Sequence, residues 1–595
     1  EVLYSGITNA WYLIYSQVLN YEFLNFATKG VFLGSRKVYL AAHVDDLFLA
    51  DGLWNPETNT TDDEPGYRNS VGDITNIVSA QQSLLATHAT LSDFKLDMVF
   101  NGSGTLVPPT QTLISDADTW IREGRPTSNY GTGSHGYFEK QWRTSERVLI
   151  HFPVSASKAI SNQALLNLRG TTSTRSGQVC KATTQWVERE ATWRLARSGV
   201  SWSSNGGSYD SASCINFTLS GGRASVNVTS IVNEWAVDGQ PNYGFIVIGA
   251  NRSAGWIRTR EYSNSSYHPQ LEISYGIDIL TNAVVENMNA FRFINHTYTH
   301  LDMYTSAGTT YAQAYDEIFN NQIVWQDLGF PEFNENVSVL VTGNHSGLDD
   351  TNGTEGDPSL WTPYPEAMNT EFMAAAQALG VRYLASDASR VNQNVEAYVP
   401  GYDILLLPRY PTAMFYNTST PEELTDEYNY IFYERHVAAG DDPCTIPGAI
   451  CQPRSYQEIL EAEAETTLRH MMTYRSWPHY FHISNLRDYG SGATLQFDWL
   501  GAVMSRYEQY FNLPVINDAY YNIGQRAEAR IAAKAASVNG ELELSTGLIT
   551  LTSSSNTRVE VTGIVGGELY GGQRIGNVDV SAIPVTIAVD QALAE

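Results

Sequence analysis

Hydrophobic residues follow two different spacings along the chain, and the first predicts buried strands that alternate with helices. Continuous apolar runs at residues 38–42 and 404–407 are typical of strands buried on both faces. Apolar residues at helical spacing predict helices at residues 71–94, 365–379 and 456–474. An alternation of strands and helices favours a (β/α) barrel.

The second spacing is strict alternation in short stretches, and it predicts β-structure. Between residues 112 and 275, stretches such as 147–152 and 244–248 are separated by turns rich in Ser, Gly and Asn, which is typical of an all-β sandwich. Alternation returns from about residue 526, for example at 541–544, so we expect a small terminal β-module there.

These patterns predict the α/β class, with a (β/α) barrel-like domain that is split by an inserted all-β sandwich and followed by a small C-terminal β-module. The expected boundaries are 1–108 and 276–525 for the two parts of the barrel-like domain, 112–275 for the insert and 526–595 for the terminal module. Such an insert needs its two ends close together, as surface loops allow. The chain begins at Glu1 without Met or a signal peptide, so we expect a processed or trimmed fragment.

The composition argues against two classes of protein. The 595-residue chain is 43% hydrophobic, as globular proteins are. It contains no apolar run of about 18 residues, so we expect no membrane span. Its formal net charge of −28 argues against a nucleic-acid partner, which would need a basic surface. The acidic surface could serve solubility alone or could retain a cationic polymer, and the sequence leaves both open.

Cysteines and glycosylation sequences favour an extracellular protein. The four cysteines fall into pairs by region, and we expect two disulfides, Cys180 with Cys214 and Cys444 with Cys451. Asn-x-Ser/Thr sequences are also frequent. The predicted glycosylation sites are Asn59, Asn101, Asn216, Asn227, Asn251, Asn264, Asn336, Asn344, Asn352 and Asn417. A further sequence at Asn295 precedes a candidate site histidine, where a glycan would block a cleft.

Two short motifs carry the candidate chemistry. Residues 43–46 read His-Val-Asp-Asp and place two carboxylates at the end of a predicted strand. Residues 296–300 read His-Thr-Tyr-Thr-His and place two imidazoles on one face if the segment is helical. One carboxylate and two histidines form a facial metal site, and the second carboxylate can act as a base, so the pair favours metal-assisted hydrolysis. Each motif alone also has an ordinary explanation, as a solvated turn and as a hydrogen-bonded histidine pair.

Together with four further stretches in the expected order, these motifs resemble NodB-type polysaccharide deacetylases. The sequence is most similar to the fungal and bacterial branch that acts on extracellular galactosaminogalactan-type polymers. The further stretches are Gly-Val-Phe-Leu-Gly at 30–34, Thr-Gly-Asn-His-Ser-Gly-Leu at 342–348, Leu-Pro-Arg-Tyr-Pro-Thr at 407–412 and Pro-His-Tyr-Phe-His-Ile-Ser-Asn-Leu at 478–486.

The resemblance implies a metal centre and a base. Asp46, His296 and His300 would hold a divalent metal, by ligand type Zn²⁺, although nickel, cobalt or iron also accept two nitrogens and a carboxylate. Asp45 would be the general base. The family commonly has Thr-Phe-Asp-Asp where this chain has His-Val-Asp-Asp.

The resemblance also implies an acid and an ion pair. His482 would be the general acid that protonates the leaving amine, with His479 as its competitor. Arg409 would pair with Asp45 and keep that carboxylate ionised. Asp387 is a candidate partner of the acid histidine, although it precedes Arg409 and so departs from the usual motif order.

Residues 112–275 resemble the DNRLRE family of carbohydrate-associated β-sandwiches. The similarity lies in Asp-Thr-Trp-Ile-Arg at 118–122, Thr-Ser-Asn-Tyr-Gly at 127–131, Val-Asn-Glu-Trp at 232–235, Pro-Asn-Tyr-Gly at 241–244 and His-Pro-Gln-Leu at 268–271. Such modules bind glycans or serve as wall-associated spacers, and both roles stay open. We predict Trp202, in a Ser-rich turn, as an exposed stacking platform.

The resemblance implies a secreted, cell-wall or matrix hydrolase that removes N-acetyl groups from an extracellular N-acetylhexosamine polysaccharide. The alternative is an inactive structural or adhesive glycoprotein that retains the fold. A pure carbohydrate-binding protein would leave the deacetylase motifs unexplained. The expected partner is an amino-sugar polysaccharide, and assembly into an oligomer or filament stays open.

Overall fold

The computed structural model describes residues 10, 13–105, 111–140, 144–154, 161–250, 253–275, 278–354 and 358–590. The contacts within the chain divide it into two compact units. The first unit combines Glu1–Gly104 with Ala283–Glu595, and the second is Thr105–Asn282.

Within its described residues, the first unit is built around a seven-stranded parallel sheet that nearly closes into a barrel. The strands are β1 (Ala42–Leu47), β2 (Asp97–Phe100), β3 (Arg292–Asn295), β4 (Val339–Leu340), β5 (Tyr383–Asp387), β6 (Leu405–Arg409) and β7 (His479–His482). Strands β1 to β6 are neighbours in chain order, and β7 lies on the free side of β1. A parallel bridge between Tyr410, which follows β6, and His479 in β7 joins the two edges. The predicted barrel-like α/β fold is confirmed.

The barrel strands are buried because helices cover them, as the apolar runs predict. All six residues of β1 and all five of β6 are buried. The helices of this unit and at its junction with the second unit are Ile14–Thr28, Val71–Thr87, Ile279–Glu286, Tyr311–Leu328, Phe333–Asn336, Thr370–Ala378, Pro421–Asn429, the π-helix Tyr430–Glu434, Arg435–Ala439, Tyr456–Met472, Leu495–Glu508 and Tyr520–Ala535.

The three predicted helices are present, but each differs in length from its prediction. The first begins at Val71, where Ser70 and Asp73 form a capping box, and ends at Thr87 instead of residue 94. The second begins at Thr370 because Asn369 caps its first turn, so it starts five residues later than expected. The third ends at Met472, two residues early.

The second unit is a sandwich of two antiparallel sheets, as the alternation predicts. Its strands are Gln111–Ile114, Ala117–Arg122, His135–Lys140, Ser145–His151, Ser161–Arg169, Arg175–Lys181, Leu195–Arg197, Val200–Ser201, Ile215–Leu219, Arg223–Asn227, Phe245–Gly249, Ala254–Arg258 and Gln270–Tyr275. Leu195–Arg197 and Val200–Ser201 pair only with each other, and a helix spans Thr229–Ala236. Residues such as Phe138, Leu166 and Phe245 fill the core between the sheets.

The prediction of Trp202 as an exposed stacking platform is wrong. Its side chain is 5% exposed and packs in a second apolar cluster with Trp186 and Trp193. The indole nitrogen donates a hydrogen bond to the carbonyl of Thr192 at 2.8 Å. The Ser-rich surroundings suggested exposure, but a buried Trp with a satisfied N–H is the stable arrangement here.

The C-terminal strands begin later than predicted. Residues 526–535 belong to the Tyr520–Ala535 helix, which packs on the barrel through residues such as Ile523 and Ala527. The strands are Asn539–Glu543, Leu548–Thr552, Thr557–Thr562, Glu568–Tyr570, Gln573–Val580 and Val585–Ala588. Thr557–Thr562 also pairs with the short strand Phe32–Leu33 near the other end of the chain.

The remaining short strands of the first unit are Val38–Tyr39 with Val515–Ile516, and the hairpin Asp51–Asn55 with Thr60–Tyr67. The cysteines are joined as predicted, Cys180 to Cys214 and Cys444 to Cys451. Among the described residues, no helix has the length and apolar character that a bilayer crossing requires.

Candidate active site

The two adjacent carboxylates reach one cavity because β1 is irregular at its carboxyl end. Its pairing with β2 is in register at Val44 and is shifted by Leu47. Asp46 adopts a φ of 69°, in the left-handed region. In a regular strand, neighbouring side chains point to opposite faces, and a bulge changes that direction. Asp45 and Asp46 therefore both line the same cavity.

The two histidines come from a loop after β3 and not from a helix, so the helical spacing considered for them is wrong. His296 follows β3 directly, and both Thr297 and His300 have a positive φ, 67° and 66°. The buried side chain of Asn101, after β2, donates hydrogen bonds to the carbonyls of His296 and Thr297 at 2.8 and 3.1 Å. Asn101 therefore holds the loop in the conformation that brings the imidazoles together.

Asp46, His296 and His300 form a group whose donor atoms fit a divalent metal. The Asp46 Oδ1 atom lies 3.3 Å from the Nε2 atoms of both histidines. That oxygen is buried and has no hydrogen-bond partner, as expected of an atom meant for a ligand. The Nδ1 atom of His296 lies 3.1 Å from the carbonyl of Val341, which leaves Nε2 with its lone pair.

Burial alone would raise the pKa of Asp46, but the neighbouring His300 and His296 lower it to about 2. The same carboxylate raises the pKa of His296 against the effect of burial. Asp46 and His296 therefore favour each other's charged forms. A cation bound beside them would replace the proton of His296.

Asp45 forms a buried, bidentate ion pair with Arg409, at the end of β6. The two guanidinium nitrogens donate to the two carboxylate oxygens, each at 2.8 Å. Burial would raise the pKa of Asp45, but the charge of Arg409 holds it far below its usual range. Arg409 also donates to Nε2 of the buried His345, at 2.7 Å from Nη2. His345 therefore fixes the guanidinium from its other side.

His482 lies in the cavity, whereas His479 does not. His482 is the last residue of β7, in register with Asp45, and its Nε2 lies 3.7 Å from Asp46 Oδ2. Burial lowers the pKa of His482 against the opposing effect of the two carboxylates. His479 is buried three residues earlier, and its Nε2 lies 3.0 Å from Nδ1 of His470. Of the two histidines, His482 is therefore the better candidate for the general acid.

The cavity has a volume of about 440 Å³, within the range of sites that bind small molecules. Its walls are aromatic and polar, with Phe415 and Tyr416 on one segment and Asn344 and Arg390 on others. The ring of Tyr416 lies 5.8 Å from that of His482. Aromatic walls with a few hydrogen-bonding groups are typical of sites that bind small molecules.

The sequence did not indicate three residues of this site, His345, Asp51 and Tyr480. His345 lies in the motif at residues 342–348, but nothing in the spacing of that motif identifies Arg409 as its partner. Burial and the nearby Asp46 raise the pKa of Asp51 well above its usual range. The Tyr480 hydroxyl donates a hydrogen bond to Asp387 at 3.2 Å. The hydrogen-bond partner of Asp387 at this point is therefore Tyr480, whereas its predicted partner was His482.

Three of the predicted glycosylation sites are wrong because the asparagines are buried. Asn101, Asn336 and Asn417 are at most 4% exposed, and the Asn417 amide nitrogen donates to Thr61 and Glu427. Asn295 is also buried, and its amide nitrogen donates to the carbonyl of Ile318. The exposed candidates are Asn216, Asn227, Asn264, Asn344 and Asn352, with Asn59 half-buried, and Asn251 lies outside the described residues.

Comparison with known proteins agrees with this architecture. Residues 384–539, which include Arg409 and His482, match the family described as the Agd3 deacetylase domain. The chain resembles the Agd3-type deacetylases. Residues 109–275 match carbohydrate-binding module family 96. The predicted resemblance, a deacetylase with a carbohydrate-associated insert, is confirmed.

A solved Agd3-type structure shares the fold. It is described as the crystal structure of Agd3, a novel carbohydrate deacetylase, and aligns with a TM-score of 0.54 and 16% identity over 97% of this chain and 69% of that one. No curated protein matches the chain. Asp46, His296 and His300 lie outside both segments that match Agd3-type and carbohydrate-binding families, so their assignment rests on geometry.

Proposed function

We propose that this protein is a secreted, metal-dependent deacetylase that hydrolyses the N-acetyl groups of an extracellular N-acetylhexosamine polysaccharide. The observation that carries the proposal is the meeting of a metal-type triad, an ion-paired aspartate and a histidine in one cavity. Asp46, His296 and His300 form the triad, and Asp45 and His482 are the other two groups.

The residues of the triad would hold the metal. Two imidazole nitrogens and a carboxylate oxygen suit Zn²⁺ and several other divalent ions. When bound, such an ion polarises the acetyl carbonyl and lowers the pKa of water.

The other residues of the site would move the protons. Asp45 stays ionised beside Arg409, so it can accept a proton from the attacking water. Arg409, held by His345, keeps Asp45 oriented. The lowered pKa of His482 makes its protonated form a stronger acid, which suits transfer of a proton to the leaving nitrogen. The products would be acetate and a free amino sugar.

Further features support the cell location and the substrate. Two disulfides are typical of an oxidising compartment. The match to a carbohydrate-binding module supports a polysaccharide substrate. The proposal includes a split catalytic domain, with residues 112–275 as its insert and the C-terminal strands as a separate module. The burial of Asn295 removes one argument for the inactive alternative, since a buried asparagine offers no room for a glycan beside His296.

The test is metal content together with acetate release from N-acetylated hexosamine polymers. The wild type and a His436→Ala control, which lies away from the cavity, should each hold about one equivalent of metal and release acetate. The His296→Ala, His300→Ala double variant should lose both. A wild type without metal, or a double variant that still releases acetate, would contradict the proposal.

A further inference from the structure

A second group of acidic side chains lies in the sandwich unit. Asp118 is in the strand Ala117–Arg122, Glu188 is in a turn, and Glu261 follows the strand Ala254–Arg258. One carboxylate oxygen from each lies within 4.8 Å of the other two. The three segments are far apart in the chain, so the fold itself concentrates this negative charge.

Two oxygens of the cluster lack a hydrogen-bond partner although they are buried. Asp118 is 1% exposed, and its Oδ1 atom has no partner. The Oε2 atom of Glu261 is also buried and also lacks a hydrogen-bond partner. Buried polar atoms are normally satisfied, and an unpaired carboxylate oxygen is among the most costly exceptions. These two atoms therefore need either a shared proton or a bound cation.

Arg260 compensates only part of the negative charge of the three carboxylates. Its backbone nitrogen donates to Asp118 Oδ2 at 2.8 Å. Its guanidinium lies 3.7 Å from Glu188 Oε1 and 3.8 Å from Glu261 Oε1, beyond hydrogen-bonding distance. Arg189 Nε also lies 3.8 Å from Glu188 Oε2. Two arginines therefore face three carboxylates, and neither approaches the two unpartnered oxygens. Burial raises the pKa of Asp118 to about 8, and the charges of Glu261 and Glu188 together with a hydrogen bond to the Glu261 side chain add to this rise.

We propose that Asp118, Glu188 and Glu261 bind a calcium ion that joins three segments of the sandwich. The donors are all oxygens, which hard cations prefer, and Ca²⁺ accepts several carboxylates in irregular geometry. Mg²⁺ fits less well because it keeps most of its water and demands a regular octahedron. The depth of Asp118 makes the ion a structural one. The site contains no residue of the proposed catalytic centre and does not depend on the proposed function.

The test is calcium titration of the full-length protein after removal of metals with a chelator. Calorimetry should show one equivalent of Ca²⁺, and added Ca²⁺ should raise the unfolding temperature. Asp118→Asn removes one ligand charge and should weaken binding by roughly tenfold or more. Asp238→Asn, an exposed carboxylate in the same unit, is the matched control and should bind like the wild type. The His296→Ala, His300→Ala variant should also keep this calcium.

Three results would overturn the inference. The first is a wild type that takes up no Ca²⁺, which would indicate that Asp118 shares a proton with a neighbouring carboxyl group. The second is undiminished binding by Asp118→Asn, and the third is loss of binding in the double histidine variant, since either would place the ion elsewhere. If circular dichroism shows that Asp118→Asn is unfolded, Glu261→Gln takes its place with the same expectation.

Discussion

At the scale of residues, two neighbours in the chain have separate electrostatic partners. Asp45 is paired with Arg409, and Asp46 lies between two histidines. The first carboxylate is neutralised permanently, because arginine does not lose its proton. The second lies beside two imidazoles, whose nitrogens can bind a metal. This difference would let one position act on a proton while the other binds the ion.

Arg409→Met should destabilise the protein, because it leaves Asp45 buried without its partner. Removal of one member of a buried ion pair costs about 3–5 kcal/mol in the free energy of unfolding. Urea denaturation measures the change. Addition of Asp45→Asn to this variant should recover much of the loss, and a double variant no more stable than Arg409→Met would contradict the pairing.

His482→Ala and His479→Gln should affect different properties, the first turnover and the second thermal stability. Loss of a general acid reduces kcat by roughly 10²–10⁴-fold, so His482→Ala should lose turnover with its metal content and unfolding temperature nearly unchanged. His479→Gln alters a buried ring between Tyr410 and Trp499 and should lower the unfolding temperature instead. Measured kcat and thermal unfolding of both variants decide the assignment, and a normal kcat for His482→Ala would exclude it as the acid.

The sequence predicted which residues meet in the cavity, because motif order identifies them, but it did not predict their surroundings. Trp202 and Asn101 stand in polar, Ser- or Gly-containing segments and are nevertheless buried. His345 supports Arg409 through a contact between distant parts of the chain. Burial and partners of this kind depend on tertiary packing, which local composition does not report.

At the scale of elements, the loop after β3 carries the histidines in a conformation that few residues adopt. Thr297, a β-branched residue, has a φ of 67°, which is unfavourable unless the surroundings enforce it. Asn101 and Asn295 supply that enforcement through hydrogen bonds to the loop backbone. The spacing of the two histidines alone could not distinguish this loop from a helix.

Asn101→Ala should weaken metal binding without touching a ligand. It removes two hydrogen bonds that hold the loop, and loss of such supporting contacts commonly costs about 10–100-fold in metal affinity. Competition with a chromogenic chelator measures the affinity. Asn216→Ala, an exposed asparagine of a similar Asn-x-Thr sequence, is the control, and equal affinity of the two variants would contradict the role of Asn101.

Glu427, in the Pro421–Asn429 helix, should make stability depend on pH. Burial raises its pKa to about 7 from 4.5, and Asn417 offsets this only partly. The unfolded chain therefore loses this proton at a lower pH than the folded protein, so stability falls as pH rises from about 4.5 to 7. Glu427→Gln removes the effect and should be more stable than the wild type at pH 8, by at most about 3 kcal/mol.

Urea unfolding of Glu427→Gln and the wild type at pH 4 and pH 8 provides the comparison. The advantage of the variant should disappear at the lower pH, where the glutamate is protonated in both states. Glutamine keeps the acceptor oxygen for the Asn417 amide, which lies 3.1 Å from Glu427 Oε1. An advantage of equal size at both pH values would show that packing, and not ionisation, distinguishes the two side chains.

At the scale of the whole molecule, the alternation of buried strands and helices was enough to predict the barrel and the sandwich. The period-2 alternation near the C-terminus also predicted β-structure there, but it did not predict the partner strand Phe32–Leu33, which is two residues long and comes from the other end of the chain. The helix at Tyr520–Ala535 was also missed, since its apolar face is short and lies against the barrel. Local patterns identify long elements and fail for short ones that depend on distant partners.

The position of β7 beside β1 also constrains the order in which the protein can be made. Asp45 and Asp46 leave the ribosome long before His482, their neighbour across the sheet. Contacts between such distant segments form slowly, because a long loop must close first. The cavity is therefore incomplete until His482 has been synthesised, and a nascent chain cannot bind a ligand in the complete site before that point.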